Sequence, residues 1–164
     1  MQRIDVRITS SLAILASSLW LGGMLALGAI AAPVVFHVVP APTSADAMTV
    51  VFRRFDMVAM SCAVVVLVAE ALRGLGPPRD PMTRLDGVRL AAAAVASGLA
   101  VLQGTWLSPA IEALHRAGAV RGFGPLGLQL EVKHHWAELD GKAQAVLLAG
   151  VIVMHVVTVG RRPA

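Results

Sequence analysis

The chain has 164 residues, 57% of them hydrophobic and 15% charged, with a mean hydropathy of +0.73. Soluble domains carry about 45–50% apolar and about 25% charged residues, so this composition excludes an ordinary water-soluble globule. The formal net charge of +4 gathers at the ends of apolar runs, which excludes a nucleic-acid-binding reading and points to membrane topology. A single cysteine, Cys62, excludes an internal disulfide.

Residues 8–36 run for 29 positions without an ionisable side chain, where about 20 suffice to cross a bilayer. They predict a spanning helix over 8–37. Ser18, Gly22 and Ala26 recur at four-residue spacing, a stripe that lets another backbone approach closely. Pro33 removes a backbone donor and predicts a kink in the last turns. Trp20 falls near mid-membrane, and its indole N–H needs a partner, for which Gln103 is the candidate.

A second helix is predicted over 44–73, with Thr43 or Ser44 as N-cap and Asp46 in its first turn. Its length of roughly 45 Å exceeds the hydrocarbon thickness. Arg53, Arg54 and Asp56 are therefore expected among the headgroups. Residues 74–86 read as a Pro/Gly-rich surface connection. The third helix, over 88–114, carries Ala92, Ala96, Ala100, Gly104 and Ser108 at four-residue spacing, and the small residues predict the tightest packing of the set. Gln103 lies beside that stripe, either as interhelical glue or as lining of a polar path. The fourth helix, over 126–160, opens at Pro125, a favoured first helical position. Its first half is amphipathic; its second half is apolar apart from Gln144, His155 and Thr158. The expected fold is all-α: one domain over 1–164, a four-helix transmembrane bundle whose second and fourth helices extend beyond the membrane on the outer side.

Lysine and arginine counts set the orientation. Arg3, Arg7, Arg73, Arg79, Arg84, Arg89, Arg161 and Arg162 fall on one side, and the remaining six spread over longer segments on the other. By the positive-inside rule both termini are cytoplasmic and the protein is a multi-pass protein of the cell (inner) membrane. A shift of 76 residues lays Gly22, Gly28 and Pro33 on Gly98, Gly104 and Pro109. That echo predicts a parallel two-plus-two helix repeat about an axis along the membrane normal.

Trp20-Leu21-Gly22-Gly23, Ala32-Pro33-Val34-Val35-Phe36 and Ser108-Pro109-Ala110-Ile111, with Leu114 and Arg116 after the last, together resemble a small four-helix membrane family of unknown function. It is the DUF4149-type family typified by transmembrane protein 205. The W-x-G-G opening also resembles, more faintly, the copper-resistance membrane proteins of the D type. The first resemblance implies an integral membrane protein without an assigned activity. That family places a histidine and a serine near the entry to its last helix; here Asp140 and Ala143 stand at the matching positions.

Three groups of residues bear on chemistry. His37, His134 and His135, with Asp140, map to the outer face, and imidazole with carboxylate can hold zinc or copper. Adjacent histidines point about 100° apart on a helix, so at most one of the pair fits one ion, and the alternative is a solvated ledge. Glu70 and His155 lie at comparable depth in the apolar segments. They form either a proton relay or interfacial partners of Arg73, Arg89 and the backbone. Gln103 extends this set into a candidate polar path. Bis-histidine haem needs two histidines at one depth, which His155 and His37 do not share, so no cofactor is expected. No nucleophile–base pair marks an enzyme. The readings left are solute or ion handling, with the lipid bilayer as environment and a homo-oligomer as working form, or a structural assembly partner; outer-face metal binding comes third.

Overall fold

The computed structural model describes residues 6–74 and 83–160. Four helices account for its architecture. Helix α1 runs Val6–Leu25, passes through a π-helical turn at Ala26–Ala31, and ends as Ala32–Val38. Helix α2 is Thr43–Gly74. Helix α3 runs Arg84–Leu102, through a π turn at Gln103–Leu107, into Ser108–Arg116. Helix α4 is Gly124–Gly160. All four are long and apolar enough to cross a membrane. Among the described residues no strand forms beyond one isolated bridge, Val120 to Phe123.

Local chemistry sets the helix ends. Thr83 Oγ1 accepts from the Asp86 N–H at 3.2 Å, and Asp86 Oδ2 accepts from the Thr83 N–H at 3.2 Å. This reciprocal box starts α3 at Arg84, earlier than the expected 88, so Asp86 is a helical residue rather than part of the connection. Gly127 lets the Val120 carbonyl lie 2.1 Å from where a Cβ would stand, which folds the turn between α3 and α4 onto the start of α4. Arg3, Arg79, Arg161 and Arg162 lie outside the described residues.

The two π turns have one cause. In that register an N–H reaches back five residues: Ala32 N–H donates to the Leu27 carbonyl, and Ser108 N–H to the Gln103 carbonyl. The next carbonyls, Gly28 and Gly104, would need the N–H groups of Pro33 and Pro109, which proline lacks. Gly104 finds a substitute in Arg53, whose Nη1 donates to its carbonyl at 2.7 Å. The shift of 76 residues thus carries one π turn onto the other. The packing agrees: α1 lies against α2 and α4, and α3 lies against α2 and α4. Exchanging α1 with α3 and α2 with α4 preserves every neighbour, as a two-fold along the bundle requires.

The core is built from small residues. Ala13, Ala16, Ala59, Ala63, Ala93, Ala96 and Ala100 are buried, whereas Leu15, Leu19, Val64, Val146 and Val153 face outward. Water would drive the large side chains inward. Lipid does not, and close backbone packing supplies the cohesion instead. The α3 stripe faces inward at Ala96, Ala100, Gly104 and Ser108. The α1 stripe does not: Ser18, Gly22 and Ala26 are exposed, and no atom lies within 4 Å of a Cβ built on Gly22. Gly23 does the packing there, since its Cβ would stand 2.3 Å from the Phe55 ring.

Candidate functional site

Two polar clusters lie inside the bundle, one toward each end. The proximal cluster sits where α1 begins and α4 finishes, and all four helices contribute to it. Glu70 of α2 receives Arg89 of α3 through both carboxylate oxygens, from Nε at 2.8 Å and Nη2 at 3.1 Å. Arg89 Nη1 also donates to Asp86 at 2.9 Å. His155 of α4 places Nε2 2.8 Å from Glu70 Oε1. Its Nδ1 lies 3.3 Å from Arg73 Nη1, which also donates to Ser10 of α1. Guanidinium can only donate, so Nδ1 accepts and the ring proton sits on Nε2, facing Glu70. Exposure of Glu70, Arg89 and His155 is 4%, 2% and 0%. Two carboxylates (Glu70, Asp86) meet two guanidiniums (Arg73, Arg89) within the cluster.

The distal cluster lies about 22 Å along α4, from His155 back to Asp140. Trp20 donates its indole N–H to Gln144 Oε1 at 3.1 Å, and the Gln144 amide donates to Asp140 Oδ2. The hydroxyl of Ser108 lies against Asp56, and Asp56 and Asp140 are both buried at this end of the interior. Gln103 donates to Ser108 Oγ at 3.2 Å. Asp56 Oδ2, Asp140 Oδ1 and Gln103 Oε1 are buried with no hydrogen-bond donor. Arg53 Nη1 is 3.8 Å from Asp56 Oδ2, and Arg53 Nε is 3.4 Å from Glu112, which also binds Arg116. A cavity of about 380 Å³ opens over this end, lined by Val50, Arg53, Arg54, Met57, Glu112 and Arg116.

Between the clusters the core is Ala63, Val66, Ala96, Leu148 and Val151. Two buried hydroxyls without partners, Ser17 and Ser97, stand in this layer.

Several residues singled out in the sequence take different places here. Glu70 and His155 do meet, and Arg89 joins them, so the relay pair and the ion pair are one network. Gln103 belongs to the other end, and its bond to Ser108 lies within its own helix rather than between helices. Trp20 pairs with Gln144, not Gln103, because both project from the inward stripes of α1 and α4. Asp140 leaves the outer ledge: residues 140, 144, 148, 151 and 155 recur at helical spacing and all are buried. Asp56, expected among headgroups, faces α3, its Cβ 3.4 Å from a Cβ built on Gly104. His37 and His135 are exposed, and the His134 ring packs on His115 with centroids 5.8 Å apart. Among the described residues no three His, Cys, Asp or Glu side chains form a metal-holding group, so His37, His134, His135 and Asp140 are not gathered around one point. Pro33 and Phe36 are exposed near the end of α1, while Pro109 follows the buried Gly104. From sequence, Arg53 and Asp56 are placed among the headgroups and Gln144 is only a polar exception in an apolar run; Ser17 and Ser97 are not singled out. The signal that finds Asp56, Gln144, Ser17 and Ser97 is helical spacing from residues that are buried.

A family model described as a domain of unknown function (DUF4149) matches residues 15–120. That range covers the W-x-G-G opening, both π turns and both late prolines. The copper-resistance resemblance finds no support. No curated protein and no solved structure gives a match.

Proposed function

The chain belongs to the DUF4149 family, whose description assigns no activity, and we propose that it handles a small cation across the cell membrane, without enzymatic chemistry and with both termini cytoplasmic. One observation carries this reading. Buried polar groups recur along the bundle interior, from Ser10 and His155 through Ser17 and Ser97 to Gln144 and Asp140, and several of their oxygens lack a donor. Orphaned buried oxygens are rare in folded proteins because each costs free energy. Ionisable groups inside a membrane point to ion or proton pathways. The distal cavity gives access to Arg53 and Glu112 beside Asp56. The test is flux: purified protein in vesicles with an internal pH or Na⁺ dye, driven by a potassium diffusion potential. Flux above that of empty vesicles, lost in Asp140→Asn, is the expected result. Equal flux in empty and loaded vesicles would refute it.

An assembly role is favoured by a separate feature, the exposed Ser18, Gly22 and Ala26 stripe on α1. Small residues on a lipid-facing surface allow a second helix to approach. Gly22→Leu is expected to shift a homo-oligomer toward monomer on a calibrated sizing column; an unchanged profile would remove this reading.

A further inference from the structure

Asp56, Asp140 and Glu112 are the carboxylates of the distal cluster, and Arg53, Arg54 and Arg116 line the cavity that opens over it. Arg116 pairs with Glu112, and Arg53 reaches Glu112 at 3.4 Å and Asp56 only at 3.8 Å. Arg53 is further held by the carbonyl that Pro109 leaves without a donor. Asp140 has no guanidinium among its contacts, only the Gln144 amide. The buried carboxylate of Asp140 is left without a cation at bonding distance.

We infer that Asp56 and Asp140 share one monovalent cation, Na⁺ or H⁺, in the interior between α2, α3 and α4. The geometry fits. Asp56 and Asp140 are 6% and 7% exposed, and each has a buried oxygen without a donor. The π turn of α3 packs against both α2 and α4, so the neutral oxygens of Gln103 and, just past the turn, Ser108 lie on the element that faces both helices. An all-oxygen set of carboxylate, amide and hydroxyl suits a hard cation. A π turn in an otherwise regular helix is a frequent mark of a functional position. Between residues 8 and 36, α1 offers no titratable group; toward this cluster α2 offers Arg53 and Asp56 with Arg54 on the cavity above, α3 offers Glu112 and Arg116, and α4 offers Asp140, its neighbours Glu138 and Lys142 being exposed. A bound cation would supply the counter-charge that Asp140 lacks. This site rests on the cation-handling reading and names where the ion is held.

The test is labelling by dicyclohexylcarbodiimide, which modifies protonated carboxyls in apolar surroundings, on full-length protein in detergent, read by peptide mass spectrometry. Labelling is expected on Asp140 or Asp56 and should fall severalfold as pH rises. If Na⁺ is a ligand, labelling should also fall with added Na⁺ at constant ionic strength, choline making up the balance. Suppression by pH alone assigns a proton; suppression by Na⁺ as well assigns the metal ion. Absence of label at both residues, or label indifferent to pH and Na⁺ alike, overturns the site. The experiment needs only wild-type protein, so misfolding of a variant cannot confuse it. It also stands apart from flux: protected label without flux keeps the site and removes transport, and flux without label does the reverse.

Discussion

The two ends of the bundle hold comparable polar groups and use them in opposite ways. At the proximal end each charge has a partner at bonding distance: Glu70 takes Arg89 and His155, and Arg89 takes Asp86. At the distal end Asp56 and Asp140 keep oxygens that nothing donates to. Burial is nearly equal, so depth does not explain the difference. A cluster whose charges are all paired and which ties four helices together is a fastening. One that leaves a buried carboxylate without a cation is a place for something to bind. Buried ion pairs are weak evidence for net stability, but removing one partner strands the other, and that asymmetry makes the two ends separable by experiment.

The largest effect is expected from Arg89→Leu, which leaves Glu70 and Asp86 without their main cation. A loss of about 3–5 kcal/mol in detergent unfolding is expected, together with poor expression; wild-type stability would mean the proximal network fastens nothing. Gly23→Ala comes next. Its Cβ must displace a Phe55 ring atom from 2.3 Å, and over-packing of that kind costs about 1–3 kcal/mol. Trp20→Phe keeps an aromatic ring but loses volume and deletes the donor to Gln144, for an expected loss of about 1–2 kcal/mol; with the Gln144 side chain freed, Asp140 should also become easier to label with carbodiimide. Gly22→Ala closes the series. With open space around it, a change within about 0.5 kcal/mol is expected, and its contrast with Gly23→Ala tests which glycine of the opening motif packs the bundle.

Much of the fold was legible because a membrane leaves few choices. Four long apolar runs, the late prolines and the 76-residue echo all survive in the structure, and the echo extends to matching π turns. The Thr83–Asp86 box was legible too, but the prolines around it drew the reading toward a loop. The site was half legible. Glu70 and His155 stood out as ionisable residues in apolar surroundings. Asp56 and Asp140 read as outer-side residues, Asp140 as a ledge ligand, because each lies near exposed charges in the chain (Arg53 and Arg54, Glu138 and Lys142). Only the rotation of α2 and α4, set by which small residues pack inward, turns them from a wet ledge into the core. Periodicity carries that information, and Asp140 with Gln144, Leu148, Val151 and His155 spells it out once the inward face is known.

The contrast between the two ends is tested most directly by unfolding two single-charge variants side by side. Glu70→Gln and Asp140→Asn each replace a buried carboxylate by its amide, and both are compared with wild type in a choline buffer free of Na⁺ at neutral pH. Glu70→Gln should unfold well below wild type, because Arg89 loses its counter-charge. Asp140→Asn should unfold at or above wild type, because it removes a buried charge whose Oδ1 meets no donor and which has no cation beside it. Equal losses in the two variants, or a larger loss in Asp140→Asn, would contradict the division into a fastened end and a binding end.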